Sequence, residues 1–519
     1  MSNLRLLLPA GNSDRQINVD LTSMGRTNRI YSEAEEAYIR NILLAAQQRK
    51  EEVDLDLIGR CEVALAPHKK LPPDVLRSIF HFCNEKLVEF PLSRRDTALR
   101  LLHITHVCSA WRQLALETPA LWSGVAILLS SDADRSRHHQ ALSSARQWLA
   151  RAQDTPRSLF IDVSWLDFYD GPHSLHDSIW EQILKFVALY RLRDLELQYP
   201  INNLTLKLPD HAWSSIERLH LIGDRVDIST KSLFSDFGSL SNLKHLKIRY
   251  ASNFRGLDNV VRWHQLRTLD IWTLGYSEIT PSLFLNILRQ CQLLKYCSLS
   301  LAKEPSFMST VTPREEKIVL ANMDHLRLEF FDGSVASTIL QPLVIPNIAT
   351  FILEISFPEK RRTQLNCDMP ALIGIIQRSA GMRQIYHLEI DTSPLLDIGI
   401  LLELLPSLER ISIKSGHLTD NAIERLSSGK LGPRLYHIFS GHTHDAADKI
   451  LSMVDSRYST KSADSKLIES GLCPLKSISI PCNRSRSYRH RIKSVSLTCE
   501  ADVWLGSRED DSEDEHSED

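Results

Sequence analysis

"LKHLKI", residues 243–248, alternates apolar and polar side chains as an extended strand must. Leu243, Leu246 and Ile248 fall on a buried side, and Lys247 projects from the opposite one. The same phrase (apolar, two variable, apolar, one variable, apolar) recurs along the chain. It reads LRDLEL at 192, IERLHL at 216, LRTLDI at 266, LKYCSL at 294 and MDHLRL at 323. Further copies are IYHLEI at 385, LERISI at 408 and LKSISI at 475, with a weaker IATFIL at 348. The first six copies, taken in order, are separated by 24, 27, 23, 28 and 29 residues.

Amphipathic stretches lie between copies: PSLFLNILRQC from Pro281, MPALIGIIQRSA from Met369 and DIGILLELLP from Asp397. Strand, crossover and helix at this period predict an α/β leucine-rich-repeat solenoid of eight to eleven uneven turns. The strands would line its concave face. The Asn or Cys that often closes such a repeat is mostly absent. A doubly wound α/β enzyme domain shares the alternation but not the repeated phrase. On the concave face the positions between the leucines should project outward: His220, Lys247, Asp270, Arg327 and Glu389. Their mixed charge favours a polar protein partner and makes this row the expected substrate face.

Upstream, KKLPPDVLRSIFHFC covers residues 69–83. Pro72 and Pro73 suit a helix entrance and first turn. Val75, Leu76, Ile79, Phe80, Cys83 and Leu87 recur at steps of three and four, with Phe82 on a further flank. That band is wider than one buried face requires. A second helix is expected where Ile104, Val107, Cys108, Trp111, Leu114 and Ala115 recur, ended by Pro119, with a loop and a short middle helix between the two. A set of three helices over residues 71–122 buries too little surface to be robust alone.

The ordered residues Leu71, Pro72, Asp74, Leu76, Ile79 and Phe80, then Val107, Cys108, Trp111 and Arg112, resemble the F-box. The trailing Thr118–Trp122 stretch, Thr-Pro-x-Leu-Trp, resembles F-box-like proteins numerous in fungi, which often carry a helix before the box. The resemblance covers about fifty residues, with a spacer longer than the compact motif. It implies docking on the Skp adaptor of a Skp–cullin–F-box ubiquitin ligase, through Leu71, Pro72, Pro73, Asp74, Leu76, Ile79, Phe80, Val107 and Cys108. Trp111, Leu114 and Trp122 would form the structural core of the box. The repeats would then bind a substrate protein, and the chain would be a non-catalytic adaptor subunit. A repeat scaffold with no ligase role and a metal-dependent hydrolase are the alternatives.

The rest of the chain bounds these readings. In 519 residues, 43% are hydrophobic and 24% charged, enough for a folded core. The formal charge is −3. The stretch from Arg508 to Asp519 holds eight acids and one arginine, or −7, which leaves +4 elsewhere. No broad electrostatic footprint for nucleic acid results. No apolar run reaches the roughly 20 residues of a membrane span, and no secretion signal is evident. Nine cysteines without framework spacing suit a reducing compartment, cytoplasm or nucleus.

No cofactor or metal is expected. The His442, His444, Asp445 and Asp448 cluster lacks a further close ligand pair and reads as a polar loop. Arg484–Lys493 is a basic cluster expected to be solvated. A loose tail over 1–30, a helix or short coiled coil over 31–66, an F-box-like domain over 67–124, repeats over 125–500 and an acidic tail over 501–519 complete the expected organisation. The first of these helices should start on a capping box of Ser32 and Glu35, bury Ala34, Tyr38, Ile42, Ala45 and Ala46, and stop near Gly59.

Overall fold

Ser32 and Glu35 close a capping box that starts the first helix. The Ser32 backbone N–H donates to the Glu35 carboxylate at 2.8 Å, and the Glu35 N–H donates back to the Ser32 hydroxyl at 3.4 Å. In this computed structural model the described residues are 31–49, 52–83, 87–91, 98–129, 135–163, 174–199, 208–223, 240–249, 260–272, 280–301, 317–330, 333–355, 369–379, 385–391, 396–441, 447–463, 473–481, 489–499 and 502–505. They combine helices with a parallel sheet in two compact units. One unit runs to Leu128 and includes Arg135–Ser158; the other holds Leu129–Asp134 and Leu159 onward.

In the first unit, α1 (Glu33–Arg49) and α2 (Glu52–Ala64) form two helices rather than the single one expected to stop at Gly59. Ile39, Ile42, Cys61, Ala64 and Tyr31 make their shared core. Ala34, expected on that stripe, is exposed; Ile39 takes the buried position. The Lys70 ammonium reaches back to the Glu36 carboxylate, which is 7% exposed, and ties this hairpin to the segment before α3. An amine holding a covered carboxylate offsets its desolvation.

The next helices are α3 (Pro73–Cys83), α4 (Ala98–Val107) and α5 (Ser109–Leu116). The apolar spacing from Ile104 to Ala115 predicted one helix, but the chain breaks it at Cys108. That residue is extended (φ −161°, ψ 168°), and its Sγ accepts the Trp111 N–H at 3.4 Å, so it caps α5. Arg112 Nε donates to the Thr105 carbonyl at 2.9 Å and fixes the corner. Trp122 is buried and donates Nε1–H to the Ala115 carbonyl at 2.8 Å. Its ring lies 4.7 Å from that of Trp148 on α6 (Arg135–Ala150). Two parallel strands, Val88–Phe90 and Gly124–Leu128, complete the unit, one of them where a loop was expected.

In the second unit, twelve strands between Leu192 and Trp504 pair in parallel, each with the next of the set in chain order. They are 192–199, 218–223, 245–249, 268–272, 296–301, 325–330, 350–355, 387–391, 410–413, 437–440, 477–479 and 502–504. Leu195, Leu219, Leu246, Leu269, Cys297 and Leu326 occupy one register row, all nearly inaccessible. Burial of such a side chain contributes ~1.5–3 kcal/mol. Intervening helices begin on caps. Thr280 Oγ1 accepts from Leu283 N–H and Thr419 Oγ1 from Ala422 N–H, both at 3.2 Å. The Asp397 carboxylate accepts from Gly399 N–H at 2.7 Å.

A polar side chain just before the repeated phrase links each of several turns to the previous one. Ser215 donates to the Leu192 carbonyl (2.9 Å), Asn242 to Ser214 (2.6 Å), Asn322 to Gln292 (2.8 Å) and Asn347 to Ala321 (2.5 Å).

Candidate docking surfaces

Helix α3 carries two apolar faces. Leu76 and Phe80, one turn apart, are 7% and 0% exposed, and Phe80 meets the Trp111 ring edge-on at 5.3 Å. Val75, Ile79 and Phe82 recur at steps of four and three on another side and remain 44%, 37% and 77% exposed. Val107, at the end of α4, is also exposed. A helix that buries one stripe and leaves a second uncovered has surface to offer a partner.

The residues expected at the adaptor therefore divide. Pro72, Pro73, Asp74, Ile79 and Val107 are exposed, and Leu71 is half-buried. Asp74 pairs with Arg77 at 2.6 Å. Leu76 and Phe80 are buried, Phe80 against Trp111 of α5. Cys108 is half-buried and caps α5. Of the expected core, Leu114 and Trp122 are buried, while Trp111 is only half-buried. Val75 and Phe82 belong to the apolar band but not to the residues expected at the adaptor, and they are exposed beside Ile79.

In the second unit, register places Glu196, His220, Lys247, Asp270, Ser298, Arg327, Ile352 and Glu389 in one row across eight strands. All five residues expected to face a substrate lie in it. Neighbours pair within the sheet: His220 with Glu196 (2.9 Å), Lys247 with Asp270 (3.6 Å) and Arg327 with Glu354 (2.7 Å). Asp270 is only 9% exposed, so the expectation that it projects into solvent fails; the Lys247 ammonium lies 3.6 Å from its carboxylate. His220, Lys247, Arg327 and Glu389 are half-buried.

Two residues of phase away lies a row with His245, Thr268, Tyr296, His325, Thr350, His387, Arg410 and His437. Tyr296 stacks on His325 with ring centroids 4.4 Å apart. Burial lowers the pKa of all four histidines. Cations reinforce it, Arg218 and Arg267 at His245 and Arg410 at His387 and His437. On the opposite flank, burial raises Glu329 and Glu354; the Glu354 carboxylate adds to it at Glu329, and at Glu354 Arg327 opposes it while Glu389 and Asp391 add to it.

Among the described residues no group of three or more His, Cys, Asp or Glu side chains is placed to hold a metal ion. His442, His444 and Asp445 lie outside them, while Asp448 pairs with Arg491. Of the basic cluster, 484–488 also lie outside, as do residues 1–30 and 506–519; Asp502–Trp504, expected to belong to a loose acidic tail, instead pair with Ser477–Ser479 as the last strand of the sheet. Among the described residues no helix is long and apolar enough to cross a membrane.

The first unit is thus a small set of helices with a second, uncovered apolar stripe on α3, followed in the chain by a sheet with a polar row. That unit carries an F-box-like domain: residues 68–127 match the F-box-like family. No curated protein matches the chain. Among solved structures it is similar to the Toll–Spatzle complex, described as a molecular hub in Drosophila development and innate immunity. That match has 13% identity and a TM-score of 0.30, over 69% of this chain and 43% of the other. It is also similar to the TLR13–ssRNA13 complex, with 13% identity and a TM-score of 0.17, over 56% of this chain and 50% of the other. The chain therefore spans half or less of either length.

Proposed function

We propose that this chain is the substrate-recognition subunit of a Skp–cullin–F-box ubiquitin ligase. The observation that carries the reading is the second apolar face of α3, Val75, Ile79 and Phe82, inside the F-box-like segment. A Skp adaptor covering that face would bring the chain to a cullin. The parallel repeats, read as an irregular leucine-rich-repeat solenoid, would hold a substrate protein. The chain would perform no bond chemistry. Its contribution is the effective concentration of a substrate lysine near ubiquitin carried elsewhere in the assembly. The cytoplasm or nucleus, where such ligases act, is its expected compartment.

The test is co-expression of the full chain with a Skp adaptor, comparing wild type with the Val75→Asp/Phe82→Asp variant. Both positions are exposed, so folding should survive. Capture by wild type and loss in the variant supports the reading. Equal capture by both removes it.

A further inference from the structure

Two rows of like charge cross the sheet at opposite ends of its strands. At the N-terminal end, Lys244, Arg267 and Lys295 hold equivalent positions immediately ahead of three adjacent strands, and Asp324 holds the next one, its N–H donating to the Lys295 carbonyl at 3.0 Å. The Arg267 N–H donates to the Lys244 carbonyl at 2.7 Å and the Lys295 N–H to the Arg267 carbonyl at 2.9 Å. Adjacent strands are ~4.8 Å apart, so three cations stand side by side. Glu217 neutralises Lys244 at 3.1 Å. Among the described residues, Arg267 and Lys295 have no carboxylate within ion-pair distance, and both are exposed.

At the C-terminal end, Glu329, Glu354 and Asp391 are direct register partners on the next three strands, with Glu389 two residues before Asp391. Arg327 answers Glu354, and Lys414 answers Asp391 at 2.8 Å. Like charges in neighbouring strands repel and cost stability. With Lys244, Glu354 and Asp391 paired inside the chain, Arg267 and Lys295 at one end and Glu329 at the other are the charges that a partner of opposite sign would cover.

We infer that this face is a docking surface for a polypeptide segment that is acidic at one end and basic at the other. The acidic end lies along Arg267 and Lys295, and the basic end along Glu329, Glu354 and Asp391. Lys295 lies five residue steps before Ser300, which is the register partner of Glu329. At ~3.3 Å per residue the rows lie ~17 Å apart, a span for about five residues of extended chain. The inference rests on the reading of the sheet as the substrate site and narrows the substrate's chemistry. A nucleic acid fits the face poorly. Its unbroken phosphate charge would meet three basic positions and then run into the acidic row.

Purified full-length chain is titrated with a fluorescein-labelled peptide carrying an acidic block, a neutral spacer of about five residues and a basic block. A peptide of the same composition with alternating charges and a short oligothymidylate are the comparators. The bipartite peptide should bind about tenfold tighter than the alternating one. Arg267→Glu/Lys295→Glu should remove the preference, as should Glu329→Lys/Asp391→Lys, which reaches the same face from its other end. Equal binding of the two peptides, an undiminished preference in both variants, or tighter binding of the oligonucleotide overturns the inference. Adaptor capture is measured on the same samples. Its loss in the wild-type chain counts against the ligase reading alone, and loss of peptide preference with capture intact counts against this surface alone.

Discussion

Phe80 meets Trp111 edge-on, with ring centroids 5.3 Å apart and planes at 60°. This contact joins α3 to α5. Phe80 is fully buried and Trp111 half-exposed, so the two contribute unequally. Phe80→Ala should cost ~3–5 kcal/mol, and Trp111→Ala less. Phe82→Ala, two residues along the same helix, should stay within ~0.5 kcal/mol while weakening adaptor capture. Calorimetry of the full chain beside a capture assay separates the cases. A Phe82 variant that melts early would place that ring in the core.

The polar links ahead of the repeated phrase should each contribute modestly. Asn242→Ala, Asn322→Ala and Asn347→Ala should cost ~0.5–1.5 kcal/mol apiece. Asn242 is three strands from Asn322, so those two should add. Asn322 and Asn347 precede neighbouring strands and should couple. Urea titration of single and double variants reads both effects. Full additivity of the 322/347 pair would mean the two turns respond independently.

Local rules made much of this legible. The alternating phrase marks nearly every strand from Leu192 onward, and the Ser32–Glu35 box marks the first helix start. The doubled apolar band of α3 announced a helix with two faces. What the sequence hid depends on contacts from elsewhere in the chain. Apolar spacing runs unbroken through Cys108, so nothing local signals that its thiol caps a new helix. Strand 437–440 was missed because Ser440 stands at its third apolar position, buried and donating to the Gly416 carbonyl. Asp270 is nearly buried, with the Lys247 side chain from the previous strand beside it.

Arg457 is the strongest example of such long-range dependence. It is 1% exposed, and its Nη2 reaches the carbonyls of Gly432 (3.1 Å), Pro433 (3.3 Å), Leu435 (3.1 Å) and Cys473 (2.8 Å). Burial lowers its pKa to about 10, which still leaves it charged at neutral pH. All four contacts run from one nitrogen held in place by the planar guanidinium; a lysine ammonium, a point charge with a shorter reach, is not equivalent. Arg457→Lys should cost ~1–3 kcal/mol and Arg457→Met more, since buried acceptors lose their donor. Thermal unfolding decides. A Met variant as stable as wild type would show that water reaches those carbonyls.

The histidine row predicts acid sensitivity. His245, His325, His387 and His437 hold pKa values below the unfolded value of about 6.5. A base with a depressed folded-state pKa binds its proton more readily when unfolded. Its stabilising contribution is complete above the unfolded value and is lost as pH falls through the folded one. Glu329 and Glu354 act in the opposite sense. Their raised values disfavour folding at neutral pH, and protonation relieves that cost, but only nearer the carboxylate range. Just below pH ~6.5 the histidines should therefore dominate. The melting temperature should fall as the pH is lowered from about 7.5 to about 6, and the fall should shrink when all four are replaced by Gln. The replacement leaves each position polar and uncharged, so a Gln variant with the wild-type pH slope would locate the acid sensitivity outside this row.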